Sequence, residues 1–379
     1  MTLSFSTAVL CVITCFAFGQ APDSMRIFRN NARYEVADFT RKFSDNKPRN
    51  VILMIGDGMG MAQIFAGMTA NGGSLYLGNF KYIGFSRTQS ANDYITDSAA
   101  GATALSTGKK TYNGAIAMVV DAHGDTVMTK TVLEIAEERG RATGLVASCA
   151  LSHATPAAFI AHQPSRKLYE DIAADYLKTD VDVIIGGGYK NFADRQDGRD
   201  LVAELKAKGY RVERKMDDIV KVESGKLAGI TAYAQDPPAD KRDLNLSLAT
   251  TTAIKLLQQN AKGFFLMVEG AQIDWGAHNN HTSYVAQEML DFDKAIGRAL
   301  EFAFHDGNTL IVVTADHETG GMALTGGSMK EGWIKGEYIT GGHTGIVVQV
   351  FAYGPGAEAF MGFMENTDIG NKILSYVSD

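Results

Sequence analysis

Asn50-Val51-Ile52-Leu53-Met54-Ile55-Gly56-Asp57-Gly58-Met59-Gly60 is the stretch on which the fold turns. Val51 to Ile55 is apolar without alternation, and it ends in glycines set around an acid. A strand apolar on both faces belongs inside a parallel sheet that is covered on both sides. Thr143 to Ala147, Val181 to Ile185, Phe264 to Val268, Leu310 to Val313 and Ile346 to Phe351 read the same way. Helical patterns alternate with them at Ala99 to Leu105, Thr131 to Arg139, Pro156 to Leu177, Leu246 to Gln259 and Tyr284 to Phe304. The expectation is an α/β fold with a large, mostly parallel central sheet and helices on both faces.

Outward from that frame, residues 48–379 read as a single catalytic domain preceded by an N-terminal segment, 20–47. Two stretches read as insertions. One, about 189–243, is polar and irregular and is expected to leave the sheet; the other, 320–342, is rich in glycine and is expected on the surface. No fixed-period repeat or low-complexity tract is evident.

The chain has 379 residues, 45% hydrophobic and 21% charged, which excludes a small disulfide scaffold and a disordered chain. Its net charge of -7 gives no overall attraction to nucleic acid or an anionic membrane, and no basic stripe carries stacking aromatics. A phosphate would have to be held by local groups. Residues 1–19 carry no charged side chain and read as a signal peptide, so the protein is expected to be exported, periplasmic or secreted. That apolar run is too short to span a bilayer and no later one is longer, so no transmembrane segment is expected. Lipid anchoring at Cys15 stays open. Cleavage after Gly19 would leave Cys149 as the one thiol and allow no internal disulfide. The backbone is rich in glycine, 40 residues, and poor in proline, 7 residues.

In open α/β sheets ligands bind beyond the carboxyl ends of the strands. The residues there are acids and histidines: Asp57, then Glu269 and Asp274 to His278, then Asp316 and His317, with His343 just before the last run. Carboxylates gathered out of water are costly unless cations offset them. Asp274 and His278 are four apart and share one helical face, which suits a common ion or an ordinary surface pair. Histidine mixed with carboxylate suits Zn2+, and oxygen ligands alone suit Mg2+. The glycines around Asp57 do not complete a dinucleotide fingerprint, and an acid there would repel a pyrophosphate. Ser98 opens a helix of small residues, as a nucleophile favoured by the helix dipole or as a plain N-cap. Arg166, expected on the helix after Pro156, could clamp a phosphate or pair with Glu170. Of the other histidines, His123 and His305 read as exposed, His162 as a packing or surface residue within a helix, and His281 as a neighbour of the metal helix.

Six stretches in order carry a resemblance: Gly56-Asp57-Gly58-Met59-Gly60, Thr96-Asp97-Ser98-Ala99, His153-Ala154-Thr155-Pro156-Ala157-Ala158, Glu269-Gly270-Ala271-Gln272-Ile273-Asp274, Ala315-Asp316-His317-Glu318-Thr319-Gly320-Gly321 and Gly341-Gly342-His343. With them the chain resembles the alkaline phosphatase family, most of all its small bacterial members, including those of cold-living bacteria. The resemblance implies hydrolysis of small phosphate monoesters, with broad specificity and release of inorganic phosphate, through a phosphoserine on Ser98. It implies two Zn2+ ions, one on Asp274, His278 and His343 and one on Asp57, Asp316 and His317. It implies one Mg2+ on Thr155 and Glu269, with Asp57 bridging. Arg166 would bind the phosphate, oriented by Asp97, and the chain would form a homodimer. His153 stands where many bacterial members carry Asp, and Trp275 where members carry Lys or His. The resemblance therefore implies a magnesium more weakly held than in the Asp/Lys type. Only 25 residues separate His317 from His343, so the crown insertion of larger members is reduced. A sulfatase is disfavoured, because Ser98 lacks the proline and arginine that its modification requires. A phosphodiesterase of the same superfamily, or a non-catalytic phosphate- or metal-binding protein, are the remaining alternatives.

Overall fold

Alternate side chains of one strand enter opposite halves of the core. Val51, Leu53 and Ile55 join one apolar cluster, with Phe265, Met267, Leu310 and Val312. Ile52 and Met54 join the other, with Phe264, Leu266, Val268, Ile311 and Val313. A strand flanked by two apolar layers has no polar face, which is why its sequence shows no alternation.

The structure, a computed structural model, describes residues 23–44, 46–121 and 125–378. The expected signal peptide at 1–19, with Cys11 and Cys15, and His123 lie outside the described residues. Ten strands form the main sheet, in the order Gly362–Glu365, Tyr82–Arg87, Val348–Tyr353, Thr309–Thr314, Asn50–Gly56, Phe264–Gly270, Ala142–Ala150, Val183–Gly187, Leu227–Ile230 and Arg211–Glu213. Val348–Tyr353 runs antiparallel to both of its neighbours, and every other pairing in this sheet is parallel. Helices Met61–Ala70, Leu246–Leu257 and Thr282–Asp306 cover one face. Ser98–Thr107, Val132–Glu138, Tyr169–Asp175, Leu201–Ala207 and Asn366–Val377 cover the other. The expected doubly covered, mostly parallel sheet is what the chain forms. No helix among the described residues is long and apolar enough to cross a membrane.

Two sequence expectations need correction. The segment 189–243 does not leave the sheet: Arg211–Glu213 and Leu227–Ile230 complete one edge of it. Strands this short, the outermost of them half exposed, leave no long apolar run to read. Pro156 to Leu177 is not one helix. It holds a single turn at Ala154–Ala157 and a second helix at Tyr169–Asp175. Pro164 lies between them and cannot continue a helix, and the preceding Gln163 takes an extended bridge to Ile116. Tyr82–Arg87 and Gly362–Glu365 were not read as strands, because near the open edge their side chains are only partly buried.

The glycine-rich stretch 320–342 holds a hairpin, Ala323–Ser328 with Trp333–Glu337. Ile27–Arg29 of the N-terminal segment adds a third strand to it, and Arg26 pairs with Glu337 at 2.9 Å.

Candidate metal and phosphate site

Each acid of interest emerges where a buried strand ends. Asp57 follows Asn50–Gly56, Glu269 is the next-to-last residue of Phe264–Gly270, and Asp316 and His317 follow Thr309–Thr314. Those three strands are adjacent and in parallel register, so their carboxyl ends place the acids side by side. Asp274 and His278 come from the helix Gln272–His278. His343 comes from a two-residue strand that pairs with Glu318–Thr319.

The three histidines share one design. The Nδ1 of His278 bonds the Gly341 carbonyl at 2.6 Å and that of His343 the Thr96 carbonyl at 2.9 Å. A carbonyl only accepts, so both Nδ1 atoms carry the proton. The His317 Nδ1 lies 3.2 Å from Thr319 Oγ1, whose own proton goes to Asp274 Oδ1 at 2.5 Å. That chain makes His317 Nδ1 the donor as well. All three Nε2 atoms therefore turn inward, the arrangement in which an outer partner fixes the tautomer of a metal ligand.

Inward, the Nε2 atoms meet carboxylates. His317 Nε2 is 3.4 Å from Asp57 Oδ1 and 3.3 Å from Asp316 Oδ2. Those of His278 and His343 are 3.2 and 3.6 Å from Asp274 Oδ1, and 3.2 Å from each other. Two sets thus come together, Asp57 with Asp316 and His317, and Asp274 with His278 and His343, each with ligand atoms within 4.8 Å of one another. These are the two sets that the resemblance implied for zinc.

The electrostatics call for cations. Both oxygens of Asp57, Oδ2 of Asp316, Oε1 of Glu269 and Oγ1 of Thr155 are buried without a hydrogen-bond partner. Burial and then the neighbouring Asp316 hold the Asp57 carboxyl well above the usual range. Burial pushes Asp316 up to about 7 and Glu269 up to about 8. Burial would lift Asp274 too, but the His278 hydrogen bond and the histidine charges hold it low. That hydrogen bond raises His278 to about 9. Burial drives His317 well below its ordinary value. Divalent ions would relieve all of this at once, and the two sets that mix histidine with carboxylate fit the zinc ions that the resemblance implies.

Ser98 and Arg166 face this group. Asp97, not Ser98, caps the helix Ser98–Thr107: its Oδ1 accepts the Ala100 amide at 2.9 Å. Ser98 is left as the first helical residue, with Oγ 3.2 Å from His317 Nε2. The N-cap alternative for Ser98 is thereby closed. Arg166 stands on a loop rather than a helix, its amide bonded to the Gly114 carbonyl at 2.7 Å. Its guanidinium pairs with Asp97 Oδ2 at 3.0 Å and not with Glu170.

His153 and Trp275 lie together, ring centroids 5.8 Å apart and edge to face. Burial, with the Arg166 charge, lowers His153 to about 4, so it is neutral. Cys149, read from the sequence only as a lone thiol, has its Sγ 3.2 Å from Glu269 Oε2. It sits within the apolar Ala142–Ala150 strand and looks like core. Only its two-residue spacing from Ala147, which pairs with Glu269 and so shares its face of the sheet, could have flagged it. His281 caps the helix Thr282–Asp306 by accepting the Tyr284 amide at 3.2 Å. His162 lies outside any helix and pairs with Glu134 at 2.9 Å.

The chain is similar to known proteins. The family model described as alkaline phosphatase matches residues 48–341. Alkaline phosphatase 4 of Bacillus subtilis is 37% identical over 86% of this chain and 88% of its own. Alkaline phosphatase of Escherichia coli K12 is 34% identical over 88% and 87%. The solved alkaline phosphatase of the Antarctic bacterium TAB5 superposes with a TM-score of 0.80, at 41% identity, covering 87% of this chain and 98% of that one. The cold-active enzyme of a psychrophilic Shewanella gives 0.78, at 33% identity, covering 87% and 100%. The chain belongs to the alkaline phosphatase family and is an enzyme of that family.

Proposed function

We propose that the protein hydrolyses phosphate monoesters of broad range through a phosphoserine on Ser98. The observation that carries this is the position of Ser98 Oγ, at a helix N-terminus, 3.2 Å from His317 Nε2 and opposite an arginine anchored by Asp97. Asp274, His278 and His343 would hold one zinc, and Asp57, Asp316 and His317 a second. The resemblance puts the third ion, Mg2+, on the oxygen trio of Thr155, Glu269 and Asp57. Bound divalent ions would supply charge stabilisation for the phosphoryl oxygens and lower the pKa of a nearby hydroxyl.

This chain's own residues do the rest. The first turn of the Ser98 helix points free amides at the phosphate. Arg166 can offer two parallel N–H groups to two non-bridging oxygens while Asp97 keeps its plane fixed. Ser98 Oγ gives up its proton, which ends on the departing ester oxygen as an alcohol, and forms the bond to phosphorus as that oxygen leaves with its electron pair. Water then attacks the phosphoserine, releasing inorganic phosphate and restoring the hydroxyl. Arg166 meets the charge of a monoester dianion better than that of a diester. Export directed by residues 1–19 and cold adaptation belong to the same proposal, supported by the apolar leader and by the cold-living sources of two similar structures.

The test is trapping. Acid-quenched protein with labelled phosphate should carry label on Ser98, and Ser98→Ala should lose at least about 10³-fold in turnover, the scale for removing a nucleophile. Full activity of Ser98→Ala, or faster cleavage of bis-(p-nitrophenyl) phosphate than of p-nitrophenyl phosphate, would overturn the reading.

A further inference from the structure

Beside the oxygen trio stands a second trio that the family resemblance did not supply. Cys149, His153 and Glu269 each offer a ligand atom, and these atoms lie within 4.8 Å of one another. Cys149 and Glu269 are fully buried. Three neighbouring atoms have no hydrogen-bond partner: His153 Nδ1, Thr155 Oγ1 and Glu269 Oε1. Cys149 Sγ lies 3.2 Å from Glu269 Oε2 and 3.5 Å from the Ala150 carbonyl, the two acceptors within reach of its thiol hydrogen. Trp275 closes one side, packed with Cys149, Ala147 and Ala271. Its indole N–H is a donor only and cannot bind a cation.

Magnesium fits these surroundings poorly. It prefers six oxygens, sheds water reluctantly and usually keeps several waters. Here a sulfur and an imidazole nitrogen stand among the donors, and an indole forms one wall. Thiolate and imidazole with one carboxylate is a donor set that selects zinc-like ions and accepts four-coordinate geometry.

We infer that the third metal position of this chain is a sulfur-containing site for a thiophilic divalent ion of the zinc class, with Cys149 Sγ bound beside Glu269 and a ring nitrogen of His153. The inference rests on the three-ion reading given above. Binding forms a metal–sulfur bond and breaks the S–H bond, and the proton leaves to solvent, so uptake of this ion releases acid. Asp57 then serves one fewer ion.

Cobalt(II) tests this without reference to turnover. Metal-free protein is loaded with Co2+ to saturation, bound cobalt is counted, and the near-ultraviolet sulfur-to-cobalt charge-transfer band is recorded. The band is expected in the wild type and absent in Cys149→Ser, with the visible bands of the other cobalt ions kept. Cys149→Ala should weaken the third ion about 10- to 100-fold, as loss of a supporting group does at other metal sites. In competition between equal Zn2+ and Mg2+, the wild type should retain zinc alone, and the double variant Cys149→Ser with His153→Asp should regain one magnesium. Saturation at three cobalt ions without the band overturns the role of Cys149 and leaves the three-ion reading standing. Saturation below three without the band overturns both. One retained magnesium in the wild type overturns the inference, and because the wild type is the first readout, a variant that fails to fold does not blunt the test.

Discussion

The Arg166 guanidinium is held by Asp97, Nη1 to Oδ2 at 3.0 Å, while the other oxygen of the same carboxylate caps the Ser98 helix. One side chain thus sets both the nucleophile's helix and the phosphate clamp. Asp97→Asn should keep the cap, because Asn caps as well as Asp, and should change stability by less than about 1 kcal/mol. It should still lower kcat/KM about tenfold, since the arginine loses a charged partner. Arg166→Ala should raise the inhibition constant for phosphate about 10- to 100-fold, the worth of hydrogen bonds to a charged group, and Arg166→Lys should recover part of that. Urea unfolding beside steady-state kinetics separates the two effects.

Gly58 follows Asp57 with φ of +71°, and a Cβ there would lie 2.8 Å from Asp274 Cα and from Thr319 Oγ1. Gly58→Ala therefore meets both backbone strain, about 1–2 kcal/mol, and a clash with a proposed ligand and its partner. The expected result is a lower Tm together with less bound zinc per chain, read by elemental analysis.

Removing metal should destabilise the fold as well as stop turnover. Buried, unpartnered oxygens of Asp57, Asp316 and Glu269 are left facing one another once the cations go. An ion at 100 times its Kd stabilises the native state by about 2.7 kcal/mol. Chelation should lower Tm by several degrees, and zinc should restore it. A calorimetric scan that is unchanged by chelation would contradict the site.

His162 and Glu134 form a partly buried pair 2.9 Å apart. Burial alone would lower His162, but hydrogen bonds to Glu134 and the Ala117 carbonyl outweigh it and leave its pKa raised above 6.5. Burial would lift Glu134, yet the His162 and Thr131 contacts hold it below 4.5. The raised histidine stabilises fully below about its unfolded pKa and ceases to do so as pH rises through the folded value. The lowered Glu134 acts in the opposite sense, losing its contribution as pH falls through its folded pKa. The stability lost in His162→Gln should accordingly be larger near pH 6 than near pH 9, measured by urea midpoints.

Thermal stability should be modest. Among the described residues Cys149 is free, and the chain has 7 prolines, so little stiffens the unfolded chain. The glycine excess argues less strongly than the proline deficit, because many glycines, Gly58 and Gly320 among them, occupy positive φ that other residues take at a cost. A Tm above about 65 °C, beyond the usual mesophile range, would count against cold adaptation.

Central strands such as Phe264–Gly270 were legible because burial on both faces writes one continuous apolar run. The acids that follow them were legible because strand ends deliver side chains to one edge. The rest depended on residues distant in the chain. The second oxygen of the Asp97 cap holds Arg166, 69 positions away, a pairing that no local window shows. Whether Arg166 rides a helix was decided by Pro164 and by the Gly114 carbonyl. Edge strands escaped notice because half-exposed strands carry mixed side chains. Cys149 reads as core in any local window, and only the parallel pairing of its strand with that of Glu269 turns the thiol toward a carboxylate. By itself the sequence determined the layered sheet and the acids and histidines that follow its strands, since both follow from local pattern. Tertiary structure alone decided which nitrogens face inward, which carboxylates lack partners and which sulfur stands beside them, because those are distances across strands and not along the chain.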